Sequence, residues 1–341
     1  MRIVVIGAGA VGGVVAGYLA KEKYDVELVC KHKESVDFIE NNGLRVEGKK
    51  KSIISYPDVV INVSQISEKP DIIFLATKAT DVLGAARSIK PFLHDDTMIV
   101  SLQNGIMEDQ ISEIVGRNRT IGCVVEWGST YLAVGRMEVT SNGRFIIGEL
   151  NQENTHRLYV LKSVLEKIFP VKISNNIYGD LFSKLMVNSC ITSLGAITGL
   201  KLGELLNMSL ARKIFIRIFT ESIEVAEAMG IRLEKVADKL NPYDLALTGN
   251  DINHNITLSL IKKHIIIMGI GLKYRRLKSS SLQSLERGKP TEIDYLNGYI
   301  VKNASKHKIP VPINKQIIAL VKDIENGKLK IELENLFRIN L

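Results

Sequence analysis

At 341 residues, 45% apolar and 24% charged, the chain is long enough for two domains with a sizeable core, which excludes an intrinsically disordered protein. Its net charge of +8 is spread as single lysines and arginines, densest in GKKK (48–51) and LKYRRLK (272–278). Few aromatics and no recognition motif make this a solvated surface, or a basic rim for a phosphorylated or carboxylate ligand, rather than a nucleic-acid interface.

The first twenty residues, MRIVVIGAGAVGGVVAGYLA, join one positive charge to an apolar run in the manner of a signal peptide, but their glycine spacing argues against that reading. RIVVIG (2–7), DVELVC (25–30), DIIFLAT (71–77) and TMIVSLQ (97–103) are each apolar at the centre, as buried parallel strands are. Crossover helices are predicted between them at 11–21, 33–41 and 81–92. Beyond TIGCVVEWGS, alternating segments ending in RFIIGEL predict a hairpin at the far edge of the sheet. From about Asn175 the period becomes 3.6, as in LARKIFIRIFTESIEVAEAMG, with Gly230 as its stop. The turn-rich segment 241–253 interrupts this half as a surface loop, and IIIMGIGL (265–272) is too short to span a bilayer. Nothing points to a membrane. Cys30, Cys123 and Cys190 lie far apart without metal spacing, which predicts three reduced thiols in a cytosolic protein and no metal site.

The expected architecture is therefore α/β: an N-terminal Rossmann-type doubly wound parallel sheet over 1–172 and a C-terminal all-helical domain over 173–341. The many apolar helices of the second half suggest a homodimer formed through it.

VVIGAGAVGGVVAGYL fits G-x-G-x-x-G with Gly7, Gly9 and Gly12, directly after the first strand and opening a helix. Gly7 permits the tight turn, Gly9 lets the backbone approach a pyrophosphate, and Gly12 lets helix and strand pack closely. The amides of the helix opening, at Ala10 and Val11, then face the phosphates. The second strand ends in VCKHK, where an NAD site usually carries an acid, so Lys31 and Lys33 favour the 2′-phosphate of NADP(H). Glu27, the competing acid, falls inside the strand. Lys78 and Asn104 follow the next two strands, where ligands of doubly wound sheets collect, although Asn104-Gly105 is also an ordinary turn pair.

In SKLMVNSCIT (183–192), Lys184, Asn188 and Thr192 recur every four residues on an otherwise apolar helix. An unpaired buried polar group costs about 2–7 kcal/mol, so this stripe either faces solvent or lines a site, expected to be the cleft between the two domains. A second polar cluster lies in SSSLQSLERGKPTEIDYLNG (279–298), where Thr291 is read as a helix cap and Glu292 as an acid of the first turn.

Together these residues resemble the ketopantoate reductase (2-dehydropantoate 2-reductase) family across nearly the whole chain. The likeness rests on the N-terminal glycines, Lys31, Lys78, QNG (103–105), KLxxN (184–188), the paired serines and TEIDYLNG. It implies NADPH-dependent reduction of a 2-keto acid on the route to pantothenate and coenzyme A. It also implies that Lys184 is the acid protonating the ketone oxygen, that Glu292 is a carboxylate binding the substrate, and that Ser280, twelve residues before Glu292, holds the substrate carboxylate. Asn188 resembles an amide contacting the substrate, while Lys78 and Asn104 match residues beside the nicotinamide and its ribose. Thr192 departs from a frequent asparagine, Ser281 from methionine and Ser284 from aspartate, all on the substrate side. A different 2-keto acid, an opine-type imine or an NADPH-sensing regulator are therefore the alternatives.

Overall fold

The computed structural model describes residues 1–254 and 256–341. Arg2–Ile6 forms β1, whose Ile3, Val4, Val5 and Ile6 are all buried, as a strand covered on both faces must be. In chain order α1 (Ala10–Lys21), β2 (Asp25–Val29), α2 (Lys33–Asn42), β3 (Leu44–Gly48), β4 (Ile53–Ser55), β5 (Asp58–Val60), β6 (Ile72–Leu75), α3 (Ala79–Ile89) and β7 (Met98–Ser101) follow. Next come α4 (Glu108–Val115), β8 (Thr120–Val125), β9 (Gly128–Ala133), β10 (Arg136–Ser141), β11 (Phe145–Glu149), α5 (His156–Leu165) and β12 (Val171–Ile173). The main sheet has the order β12-β11-β8-β7-β6-β1-β2-β5, parallel throughout except for the β8–β11 pair. The order reverses at β1, between β2 on one side and β6 on the other, which makes the carboxyl ends of β1 and β6 the crevice of the sheet.

The expected hairpin at the sheet edge divides between two sheets. β8 and β11 do pair antiparallel, but the β9–β10 hairpin between them leaves the main sheet and joins a second one, ordered β4-β3-β10-β9. The cause is α1. That helix is apolar all round, with Gly12 through Leu19 buried, so it needs cover on the side away from the main sheet. The second sheet supplies it, so closely that a Cβ on Gly13 would lie 2.3 Å from Met137 Cε. A doubly covered core helix is thus what resembles a signal peptide in sequence.

The remaining helices are α6 (Ile177–Thr198), α7 (Leu202–Asn207), α8 (Ser209–Ala228), α9 (Gly249–Asn253), α10 (Leu258–Lys273), α11 (Ser280–Glu286), α12 (Asn297–His307) and α13 (Pro312–Glu325). Two compact units emerge, Met1–Leu181 and Phe182–Leu341. The expected boundary at 172 falls within β12, which still pairs with β11; the division lies inside α6. By length and composition α6 could cross a bilayer, but 78% of its apolar window is buried inside the protein, which makes it a core helix.

Buried polar groups fix the packing of the second unit. Glu221 on α8 accepts bonds from Ile313 N (2.7 Å), Asn314 N (2.9 Å) and Asn314 Nδ2 (2.7 Å), placing an acid at the start of α13 where the helix dipole favours it. Asn297 on α12 then donates from Nδ2 to Asn314 Oδ1 (2.9 Å) and to the Ser189 carbonyl of α6 (3.2 Å). Four helices are joined by one polar chain.

The segment 241–253, expected as a loop, contains the short helix α9, stabilised by a buried ion pair with α10. Asp251 accepts from Lys263 Nζ (2.7 Å), Ser259 Oγ (3.0 Å) and Thr248 N (3.0 Å), and from the Thr257 hydroxyl. Burial alone would raise the Asp251 carboxyl; the Lys263 ammonium and the threonine bonds outweigh it and hold the group well below its ordinary 3.8. Its contribution to stability is therefore present above pH 3.8 and lost as pH falls. Asp251→Asn leaves the Lys263 ammonium buried without a counter-charge and should cost about 3 kcal/mol at neutral pH. Urea unfolding at pH 7 and pH 3 (roughly either side of the ordinary carboxylate range) checks this: the gap between variant and wild type should shrink at the lower pH.

Candidate active site

The turn from β1 to α1 lies at the reversal of the main sheet. Gly7 has a φ of +112°, a region L side chains rarely enter, and a Cβ there would lie 2.9 Å from the Ala76 carbonyl oxygen at the end of β6. At Gly12 a Cβ would fall 2.0 Å from the Gly7 oxygen and 2.8 Å from Ala76 Cβ. Gly9 differs: among the described residues nothing lies within 4 Å of the position its Cβ would take. Gly9 is the N-cap of α1, is extended, and has no side chain to satisfy the amides of the first turn, which holds no acidic residue. Ala10, Val11 and Gly12 thus present helix-opening N–H groups beneath open space, an arrangement that fits a dinucleotide pyrophosphate.

At the end of β2 the chain carries Cys30, Lys31, His32 and Lys33. Lys31 and Lys33 are exposed, and Lys31 Nζ lies 3.6 Å from Asp81 Oδ2 in the first turn of α3. With these side chains 76% and 53% exposed, the pair is worth no more than about 1 kcal/mol, and a phosphate can displace the carboxylate. Glu27 is held elsewhere: it is 3% exposed and accepts from Arg2 Nη2 at 3.0 Å. Lys78 is the exposed N-cap of α3, and half-buried Asn104 precedes Gly105, whose φ is +96°.

Gln103 has a role that the motif spacing does not reveal. Its Nε2 donates to the carbonyls of Leu75 (2.8 Å) and Thr77 (3.0 Å), and its Oε1 accepts from Ser101 Oγ (2.8 Å), so it ties the ends of β6 and β7 together. Glu108, at the start of α4, is 1% exposed, and burial pushes its carboxyl up to about 7. An acid in a first helical turn reads as an exposed partner of the dipole, so no sequence signal marks it as buried.

In the second unit α6 carries the polar stripe. Lys184 and Asn188 are half-buried one turn apart, and Thr192 is buried at 7% exposure. The Thr192 hydroxyl donates to the Asn188 carbonyl at 2.7 Å, so its proton is used within the helix. Ser279, rather than Ser280, is the buried N-cap of α11: its Oγ accepts from Leu282 N (3.1 Å) and donates to the Thr192 carbonyl (3.2 Å). Ser280 is the exposed first residue of that helix, while Ser281 is buried. Glu292 is half-buried and takes the N-cap position of a 3₁₀ turn, Ile293–Tyr295, rather than the first turn of an α-helix. Thr291 caps locally by accepting from Ile293 N at 3.2 Å, and donates from its N and Oγ1 to Glu325 Oε1 at 2.7 and 2.6 Å. The Asn297 bond to Ser189, together with an edge-to-face contact of Tyr299 with Phe182 (6.2 Å between centroids), brings the segment after Glu292 onto α6. Lys184, Asn188 and Thr192 therefore share one helix with the anchors of the segments bearing Ser280 and Glu292. Among the described residues no group of three or more His, Cys, Asp or Glu side chains is placed to hold a metal ion.

The family model described as ketopantoate reductase PanE/ApbA matches residues 3–152, and that of its C-terminal domain matches residues 176–325. The chain belongs to this family. Family members are NAD(P)-dependent reductases. Over 328 residues the chain is 29% identical to the 2-dehydropantoate 2-reductase of Pyrococcus horikoshii, covering 96% of this chain and 98% of that protein. The crystal structure of a PanE/ApbA family ketopantoate reductase from Ralstonia eutropha is similar with a TM-score of 0.81 at 28% identity, over 96% of this chain and 99% of that one. A ternary structure of D-mandelate dehydrogenase with NADH and anilino(oxo)acetate is similar with a TM-score of 0.82 at 22% identity, over 96% and 99% of the two chains, a likeness of fold alone.

The glycine geometry separates two effects that one motif combines. Gly12→Ala should destabilise the first unit and abolish dinucleotide binding together, because its Cβ meets backbone. Gly9→Ala should change stability by no more than about 0.5 kcal/mol yet weaken binding markedly. Thermal melts alongside dinucleotide fluorescence titrations distinguish the two.

Proposed function

We propose that the protein is an NADPH-dependent 2-dehydropantoate reductase, producing pantoate on the route to pantothenate and coenzyme A. The supporting observation is the stripe of α6, where Lys184 and Asn188 remain half-exposed on a helix otherwise built into the core. The curated name of the Pyrococcus relative and the family match over both units agree with this reading.

The reduced dinucleotide, when bound, supplies the hydride. The glycine turn with the amides of Ala10, Val11 and Gly12 would hold its pyrophosphate, Lys31 and Lys33 its 2′-phosphate, and Lys78 and Asn104 its nicotinamide riboside half. Lys184 is proposed to donate a proton to the ketone oxygen as negative charge develops there, turning the carbonyl into the hydroxyl of the product. Asn188 and Ser280 are assigned to orienting the 2-keto acid, and Glu292 to the polar groups of substrate and cofactor.

A second reading, a reductase of a different 2-keto acid, is favoured by Thr192. Its hydroxyl donates to the Asn188 carbonyl, where an asparagine would offer a free amide to the substrate. Following NADPH absorbance with ketopantoate and a panel of other 2-keto acids decides between the two. Oxidation with ketopantoate above all others supports the proposal, preference for another acid supports the second reading, and no oxidation with any removes both.

Two variants test the assigned roles. Lys184→Ala should lower kcat by about 10²- to 10⁴-fold, the usual contribution of a positioned acid, while changing NADPH affinity by less than about threefold. Equal losses in both would remove its role as the acid. Lys31→Ala should raise the Kd for NADPH by about 10- to 100-fold and leave that for NADH nearly unchanged, since a hydrogen bond to a charged group contributes about 1.5–3 kcal/mol.

A further inference from the structure

Glu108 stands in the first turn of α4, where solvent and the helix dipole ordinarily suit a carboxylate, yet it is buried. Its carboxyl meets the Ser101 hydroxyl and the amides of Met107 and Glu108. Among the described residues its Oε2 is buried and receives no hydrogen bond. Such a place penalises a carboxylate far more than a carboxylic acid.

The bonds further along fix where the protons are. Gln103 Nε2 donates to two carbonyls, those of Leu75 (2.8 Å) and Thr77 (3.0 Å), so its amide faces only one way and turns Oε1 to Ser101. Oε1 can only accept, and it lies 2.8 Å from Ser101 Oγ, so the single hydroxyl proton of Ser101 goes to it. Ser101 then has only lone pairs to offer Glu108. A carboxylate would set lone pairs against lone pairs, whereas a carboxylic acid completes the chain by donating. Few charges act against this. Asp109, exposed and engaged by Arg117 Nη1 (3.5 Å) and the Tyr178 hydroxyl, itself disfavours a second negative charge at Glu108. Glu113 of α4 is exposed; α3, packed against α4, carries only the exposed Asp81 and Arg87, and β6, β7 and β8 carry no charged residue.

We propose that Glu108, as a neutral carboxylic acid, is a positioning residue of the dinucleotide site. Its proton anchors Ser101, Ser101 anchors Gln103, and Gln103 holds the carbonyls of Leu75 and Thr77. The residues next in the chain, Lys78 after Thr77 and Asn104 after Gln103, are thereby set at a fixed separation at the ends of β6 and β7. This role rests on the reading of Lys78 and Asn104 as the residues that meet the nicotinamide riboside half. The glycine turn and Lys31, which serve the other half in that reading, lie outside the chain of bonds.

Two substitutions of one side chain test the proposal. Glu108→Gln keeps an uncharged donor of the same shape, and Glu108→Leu fills the space without a donor. In Glu108→Gln both kcat with ketopantoate and the Kd for NADPH should stay within about threefold of wild type. In Glu108→Leu kcat should fall by about 10- to 100-fold, the usual consequence of misplacing a reacting group by an ångström. The Kd for NADPH should rise about 10-fold in that variant, while the Kd for 2′,5′-ADP, which lacks the nicotinamide half, changes by less than about twofold. Hydrogen–deuterium exchange of the free protein reads the chain without any cofactor. Peptides spanning 76–80 and 102–106 should lose protection in Glu108→Leu and keep it in Glu108→Gln. Ser101→Ala breaks the next link and is the second variant should Glu108→Leu fail to fold; it should reproduce the same pattern, and the two changes together should do no more than one. A Glu108→Gln variant as impaired as Glu108→Leu would overturn the proposal, because the ionised group would then be the one at work. So would loss of 2′,5′-ADP binding in step with NADPH, or exchange unchanged in both Glu108→Leu and Ser101→Ala. A wild type that binds no NADPH removes the reductase reading instead, and the exchange pattern still decides whether Glu108 holds the two strand ends.

Discussion

The close approach of three backbone segments, at Gly7, Gly12 and Ala76, is the constraint from which the first unit is built. A side chain at either glycine would collide with backbone at 2.0 to 2.9 Å, so α1 can leave β1 at this angle only where none exists. That angle aims the opening of α1 along the carboxyl edge of the sheet, between β1 and β6, where the strand order reverses. Packing and the direction of the helix-opening amides thus have one geometric cause here: the contact that seats the helix also sets where its first-turn N–H groups point, the geometry on which the proposed anion site depends. Gln103 completes the arrangement from the neighbouring strand by bonding to two carbonyls at the end of β6.

The second unit solves a different problem. A helical domain has no strand ladder to set register between its elements, and an apolar core alone tolerates sliding. Glu221, Asn314, Asn297 and the Ser189 carbonyl supply specific, directional contacts between α8, α13, α12 and α6. Burial raises the Glu221 carboxyl, and the three bonds from Ile313 and Asn314 oppose that shift. The result fixes the segment after Glu292 against the helix that carries Lys184. Polar residues of the helical core thereby act on the candidate site without belonging to it.

Much of this architecture is legible in the amino-acid sequence, for physical reasons that also mark where legibility ends. Apolar runs bounded by glycine or charge locate β1, β2, β6 and β7, because a strand buried on both faces admits a charge only where a partner meets it, as Arg2 meets Glu27 within β2. The glycine spacing locates the β1–α1 turn for the steric reason above. The β9–β10 hairpin is misplaced because alternation specifies a half-buried strand but not which sheet it joins, and that choice is made by the uncovered side of α1. The 172 boundary follows a change of period and overlooks β12, three residues long and too short to show one. At the candidate site, Lys184 and Asn188 are conspicuous as polar groups on an apolar helix. The choice among Ser279, Ser280 and Ser281 is not, since three adjacent serines differ only in which one caps α11. Glu108 and the Lys31–Asp81 pair need coordinates, because burial and pairing between distant segments leave no trace in local pattern.

The second sheet has a consequence for how a ligand would be received. With one sheet beneath it and another above, α1 has no soft side, and its backbone can neither fray nor tilt without opening both layers. Its first-turn amides are therefore already oriented before any anion arrives, and little configurational entropy is left to be lost when one does. A signal-like run of glycine, alanine and valine becomes a rigid mount, its stiffness coming from Leu44 and Val46 just beyond it and from Met137, more than a hundred positions further along the chain.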